Sequence, residues 1–142
     1  MKRAALAVAL VLFAATSFAA DESKAIRQVL DDQVAAWNHG DLEGYMRGYW
    51  NSPDLEFFGG TSVTKGWQPT LERYRKRYQS DGREMGQLAF ADVAIDVLSP
   101  DAAFVRGRWQ LTMKSGPNPS GTFTLVMRKL KDGWRIVHDH SS

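Results

Sequence analysis

Two histidines lie two residues apart near the end of the chain, in Trp134-Arg135-Ile136-Val137-His138-Asp139-His140. Side chains alternate along a strand, so Trp134, Ile136, His138 and His140 should share one face and Arg135, Val137 and Asp139 the other. Imidazole titrates near neutral pH, so His138 and His140 could move protons or hold a polar ligand group at the end of an apolar stripe. The same spacing could chelate a metal, but a mononuclear site needs a third protein ligand. His39 is expected near the opposite end of the domain, and nothing in the spacing demands Glu56. No metal site and no cofactor are therefore expected. The competing reading is a hydrogen-bonded structural network at the sheet end. Asp139, on the opposite face, is a poor orienting partner for either ring.

A second constellation is basic. Arg106 and Arg108 share a face with Phe104 and Gln110, while Val105, Trp109, Leu111 and Met113 occupy the reverse. Both faces have apolar character, so one should line a pocket and the other should be buried against a second subunit. Which is which stays open. The planar guanidinium fork of either arginine suits a carboxylate. The alternative is pairing with Asp92 or Asp96 on the neighbouring strand.

Aromatic residues form the third group: Tyr45, Tyr49, Trp50, Trp67, Tyr74 and Tyr78. Such stripes pack cores, but tyrosine hydroxyls reaching a cavity would supply donors to a carbonyl or oxyanion. Tyr45, Tyr49, Trp67, Tyr74 and Tyr78, with Glu56, are candidate ligand contacts. The run Arg73-Tyr74-Arg75-Lys76-Arg77-Tyr78 splays its cations around a helix and reads as a solvated face, with Arg77 the one held against neighbours.

Positioning these groups falls to a helix over residues 22–39, whose apolar positions follow 3–4 spacing. Gly40 suits a left-handed C-cap and Asp41 an N-cap for a second helix, 42 to about 50. Short strands at 55–58 and 61–64 precede a third helix over 67–78. Four period-two segments follow, at roughly 86–98, 102–113, 121–130 and 134–140. The order ααββαββββ is an α+β architecture, with helices over one face of a curved antiparallel sheet and a conical hollow between them.

Lys2-Arg3, the apolar Ala4 to Ala15 stretch and Ser17-Phe18-Ala19 have the form of a cleaved export signal. Residues 1–19 are thus expected to be a signal peptide and 20–142 one domain, periplasmic or secreted, with no membrane span. The chain carries 18 Lys and Arg against 16 Asp and Glu. Without Lys2 and Arg3 the charges balance, so a nucleic-acid partner is not expected. With no cysteine, disulfides, thiolate metal sites and thiol catalysis are excluded.

Ala35-Ala36-Trp37-Asn38-His39-Gly40-Asp41-Leu42, Gly66-Trp67 and Gly133-Trp134-Arg135-Ile136-Val137-His138-Asp139-His140-Ser141 resemble the nuclear transport factor 2-like superfamily, in its SnoaL-like, exported branch. The resemblance covers nearly all of 20–142 and implies the cone-shaped cystatin-like fold. It does not imply one function, because the superfamily holds isomerases, cyclases, dehydratases and assembly domains. The C-terminal segment also resembles the association domain of calcium/calmodulin-dependent protein kinase II, which implies Arg108 in a carboxylate pocket. Alignment on the ketosteroid-isomerase pattern puts Gln33 at its oxyanion tyrosine and leaves Glu56 the only carboxylate near its base, so steroid isomerisation is not implied. A scytalone-dehydratase-like scheme would use His138 and His140 without an evident partner.

The expected function is an exported, homodimeric small-molecule-binding protein, acting by acid–base chemistry on an apolar carbonyl or carboxylate compound through His138 or His140. The alternative is a non-catalytic dimerisation module joined through the outer sheet face. Imidazoles turned to solvent, or a filled hollow, would leave only that alternative.

Overall fold

The computed structural model describes residues 2–142, with side chains from Ser17 onward. Most of the stretch expected as an export signal, residues 1–16, thus lies outside the described side chains. Helix α1 spans Lys2–Asn38, α2 Leu42–Met46 and α3 Trp67–Tyr78. The strands are β1 Glu56–Gly59, β2 Ser62–Lys65, β3 Gln87–Ser99, β4 Ala102–Thr112, β5 Ser120–Leu130 and β6 Gly133–Ser141. The order ααββαββββ is as expected. All six strands join one sheet in the order β2-β1-β6-β5-β4-β3, with β1 parallel to β6 and the other pairs antiparallel.

Helix α1 lies across one face of this sheet because Ile26, Leu30 and Trp37 recur at helical spacing and are all fully or nearly fully buried. Its domain end is tied down by Glu22, which accepts from the Trp134 indole at 2.6 Å and from Lys129 Nζ at 2.7 Å. Asp41 caps α2 as expected, accepting from the Gly44 amide at 2.8 Å. Helix α2 then stops at Met46 rather than near Trp50. There the backbone turns to β6: the Trp50 amide donates to Ile136 O and the Ile136 amide to Gly48 O, both at 2.9 Å. Gly48 permits this, because a Cβ there would stand 2.6 Å from the Gln33 side-chain amide carbon. The exchange sets Tyr49 against β6.

Two irregularities bend the sheet. In β3 the pairing skips from Ala91↔Arg108 to Ala94↔Arg106, with Asp92 at φ 52° and Gly107 the single residue opposite. In β6 it skips from Met127↔Ile136 to Val126↔His138, leaving Val137 unpaired. Each extra residue is a β-bulge, which kinks its strand and raises the local twist. The second bulge does something more: it resets which side chains face inward.

Candidate functional site

Between the sheet and the helices lies a cavity of about 240 Å³. Its walls are Trp37, Phe57, Tyr74, Tyr78, Leu88, Phe90, Trp109, Leu111, Phe123 and Leu125. Trp37 anchors the aromatic cluster, meeting Tyr45, Tyr74 and Tyr78 edge-on at 5.1, 5.9 and 4.9 Å between ring centroids. The face of β4 bearing Trp109 and Leu111 is therefore the cavity face, and the one bearing Arg106 and Arg108 is the outer face.

The carboxyl that lines this cavity is Asp139, 3% exposed. Strict alternation placed it outside; the Val137 bulge adds one residue, so Ile136 and Asp139 both face in. Asp139 pairs with Leu125 and Ser141 with Phe123, all four lining the cavity. The Tyr49 hydroxyl donates to Asp139 Oδ2 and the Ser141 hydroxyl to Oδ1, each at 2.7 Å. Tyr45 continues the network, its hydroxyl 3.4 Å from that of Tyr49 and 3.5 Å from that of Tyr74.

Burial pushes the Asp139 carboxyl up to about 6, against the opposing pull of the Ser141 and Tyr49 hydroxyls and of the His138 and His140 imidazoles. Burial, with Asp139 close by, pushes Tyr45 up to about 12. Tyr49 and Tyr74 are driven well above the usual phenol value by burial first and by neighbouring groups second. The three phenols thus stay protonated and act as donors, whereas Asp139 changes charge close to neutrality.

His138 and His140 do not face the hollow, which corrects the first expectation. They pair with Val126 and Thr124 on the outer face, flanking the Phe58 ring at 5.1 and 5.9 Å. Glu56 is also outside, 3.5 Å from His138 Nδ1. Arg106 lies on the outer face and pairs with Asp96 at 2.8 Å, while Arg108 stands exposed beside Thr122. Trp67 does not line the cavity; its indole donates to Met46 O at 2.8 Å and holds α3 on α2. Of the expected ligand contacts, Tyr45, Tyr49, Tyr74 and Tyr78 are brought together around the cavity.

Arg73, read as solvated, and Arg77, expected to be held against neighbours, line it as well. Arg73 donates to Thr64 Oγ1 at 2.9 Å and to Gly59 O at 3.1 Å, and its guanidinium sits 5.1 Å from the centre of the Phe57 ring. Arg77 lies over Tyr78 at 5.4 Å. The sequence signal for Asp139 was the adjacent apolar pair Ile136-Val137, which breaks alternation where the bulge forms. For Arg73 it was the i, i+1 neighbourhood of Tyr74 on a helix whose partner hairpin is only four residues per strand. Among the described residues no group of three or more His, Cys, Asp or Glu is placed to hold a metal ion, and no helix is long and apolar enough to cross a membrane.

The chain is similar to an NTF-2 like protein of unknown function from Shewanella oneidensis, at 42% identity over 84% of this chain and 98% of that one, with a TM-score of 0.77. A structure named as a candidate scytalone dehydratase from Novosphingobium aromaticivorans superposes with a TM-score of 0.70 at 15% identity, covering 89% and 86% of the two chains. A candidate calcium/calmodulin-dependent protein kinase type II association domain from Thiobacillus denitrificans gives 0.66 at 22%, covering 80% and 90%. These last two show the fold alone. No protein of curated function matches. The profile of the SnoaL-like domain matches residues 26–142, and with the 42% identical relative it shows that this chain belongs to the SnoaL-like, nuclear transport factor 2-like family.

Proposed function

We propose that the protein binds a small, largely apolar molecule bearing a carbonyl or carboxylate, and that Asp139 is its acid–base group. The small-molecule reading that ran through the imidazoles is withdrawn with their outward placement. One observation carries its replacement: a buried carboxyl in the wall of an aromatic cavity, both oxygens hydrogen-bonded, pushed by burial to about 6. A group titrating there can take and return a proton at neutral pH. The neutral phenols of Tyr45 and Tyr74 would donate to a ligand carbonyl, and Asp139 would accept the proton from the adjacent carbon. That is isomerase or dehydratase chemistry without a cofactor.

The test is binding of a panel of aryl ketones and aryl carboxylates across pH 4.5–8, read by tryptophan fluorescence, in the natural protein and in Asp139→Asn. Affinity in the natural protein should change with a midpoint near pH 6, and the variant's should be flat. Absence of binding by any member, or an unchanged midpoint in the variant, overturns the reading.

The basic, apolar and small-x-small segments of residues 1–19 support an exported protein, periplasmic or secreted, tested by cell fractionation and by sequencing the mature N-terminus. Exposed Val63, Leu98 and Val126, of which Val63 and Val126 stand on the outer face with Phe58 and His138, support a homodimer through that face. They equally favour the second reading, a non-catalytic dimerisation module. An unliganded cavity in a stable dimer, measured by the same panel and by light scattering, would select it.

A further inference from the structure

We propose that the ligand is an amphipathic carboxylate, its carboxylate held at the cavity mouth by Arg73 and Arg77 and its largely apolar body, with any reacting carbonyl, extending inward along the wall that carries Asp139. This rests on the small-molecule reading above and adds ligand class and orientation. The mouth is identified by the cavity-lining residues that are exposed: Gly60, Arg77 and Ser142. Both arginines line the cavity there, and neither has a carboxylate partner among the described residues. Arg75, on the same helix, is by contrast satisfied by Glu43 and Glu72.

Arg73 is preorganised for an anion. Its bonds to Thr64, Gly59 and Ser62 use Nη1 and Nη2, which leaves the Nε hydrogen and one Nη1 hydrogen for a ligand. Its guanidinium carbon, 5.1 Å from the Phe57 ring centre, makes a cation–π contact that keeps it beside the cavity. The shallow groove beside the mouth adds Lys76 and Arg83 to these two, against Glu72, which already pairs with Arg75, and Asp81.

Orientation follows from charge. Asp139, buried in the cavity wall beside Phe57, is anionic above its titration range, and both its oxygens already accept hydrogen bonds. A second carboxylate beside it would be repelled and stripped of water. At the mouth end the opposite holds. There the indole Nε1 of Trp109 is the one buried side-chain nitrogen or oxygen without a partner among the described residues. It stands 2.8 Å from where a Cβ on Gly121 would be, a position that Ser142 also crowds. An unpaired buried donor on a cavity wall calls for an acceptor on the ligand. A volume of 240 Å³ holds about eight waters' worth of liquid, enough for a phenyl ring and a short chain.

The experiment compares 4-phenylbutanoate with its neutral primary amide, by calorimetry at pH 7.5, on the natural protein, Arg73→Gln and Arg77→Gln. The acid should bind about tenfold more tightly than the amide, the worth of one charge-assisted contact. R73Q should abolish that ratio by weakening the acid far more than the amide, and R77Q should reduce it several-fold. Salt at 0.5 M should shrink it in the natural protein. Equal binding of acid and amide, or a ratio that survives in the variants, overturns the inference while the cavity reading stands. Failure of both probes to bind the natural protein overturns both. Because Arg73 also braces the β1–β2 hairpin, R73Q could fail to fold; Arg73→Lys, R77Q and the salt dependence then decide on the same ratio.

Discussion

The two faces of β6 and its neighbours carry opposite kinds of chemistry. Inward are Ile136, Asp139 and Ser141, closed over by aromatic rings and tyrosine hydroxyls. Outward, within three residues, are His138 and His140, with Glu56 and the exposed arginines 106 and 108. The residues that look most chemical in the sequence are the solvated ones, and a single aspartate between them has the perturbed environment. A carboxyl that is 3% exposed is governed by the cavity around it.

If the faces differ as described, packing should report it most strongly. Ile136→Ala, on the inner face and 1% exposed, should cost about 2–5 kcal/mol in chemical denaturation. Val126→Ala, on the outer face and 38% exposed, should cost less than about 1 kcal/mol. Equal losses at the two positions would erase the distinction.

Asp139→Asn sharpens it through pH. The folded-state value of about 6 lies above the roughly 3.9 of an unfolded aspartate. Between those values the native state holds a proton that the unfolded state has released, so stability is greatest below about pH 4 and falls as pH rises through 6. At pH 7.5 the buried carboxylate costs roughly 2–3 kcal/mol. The Asn variant should be more stable there by an amount of that order, with no gain at pH 4; a gain independent of pH would remove the burial account. That stability is given up at a cavity is how functional sites behave.

Gly107→Ala tests the bend. A Cβ there would lie 2.6 Å from Phe123 Cζ, so the ring must move into the cavity, at about 1–3 kcal/mol. Reduced affinity for aryl ligands should accompany the loss. The smallest effect belongs to the histidines. His138→Ala with His140→Ala should change stability by about 0.5 kcal/mol or less and leave the pH midpoint of ligand binding within a few tenths of a unit. A lost midpoint would return the chemistry to the imidazoles.

Much of the fold was legible from local pattern. Helix α3 coincides with its expected span and every strand lies within one or two residues of it, because turn residues such as Ser99-Pro100-Asp101 and Lys131-Asp132-Gly133 mark their ends. Helix α2 was overrun since nothing between Arg47 and Trp50 breaks a helix by itself; the competing hydrogen bonds come from β6, 88 residues away at Ile136. The tyrosines at the cavity were visible as a helical aromatic stripe. Trp67 shared that stripe but spends its indole on Met46, a contact no spacing announces. Arg73 looked solvated because its acceptors, Thr64 and Gly59, sit on a hairpin outside its own helix.

Periodicity, turn chemistry and composition were enough to determine the strands, the helices save the end of α2, and their order along the chain, since each depends on neighbours a few residues apart. Which end of the His138-Asp139-His140 triplet faces the hollow was decided by one unpaired residue, Val137. A bulge is fixed by how two strands pair and twist together, so its position is a property of the assembled sheet. Every side chain beyond it inherits the choice, and with them which ionisable group meets the cavity.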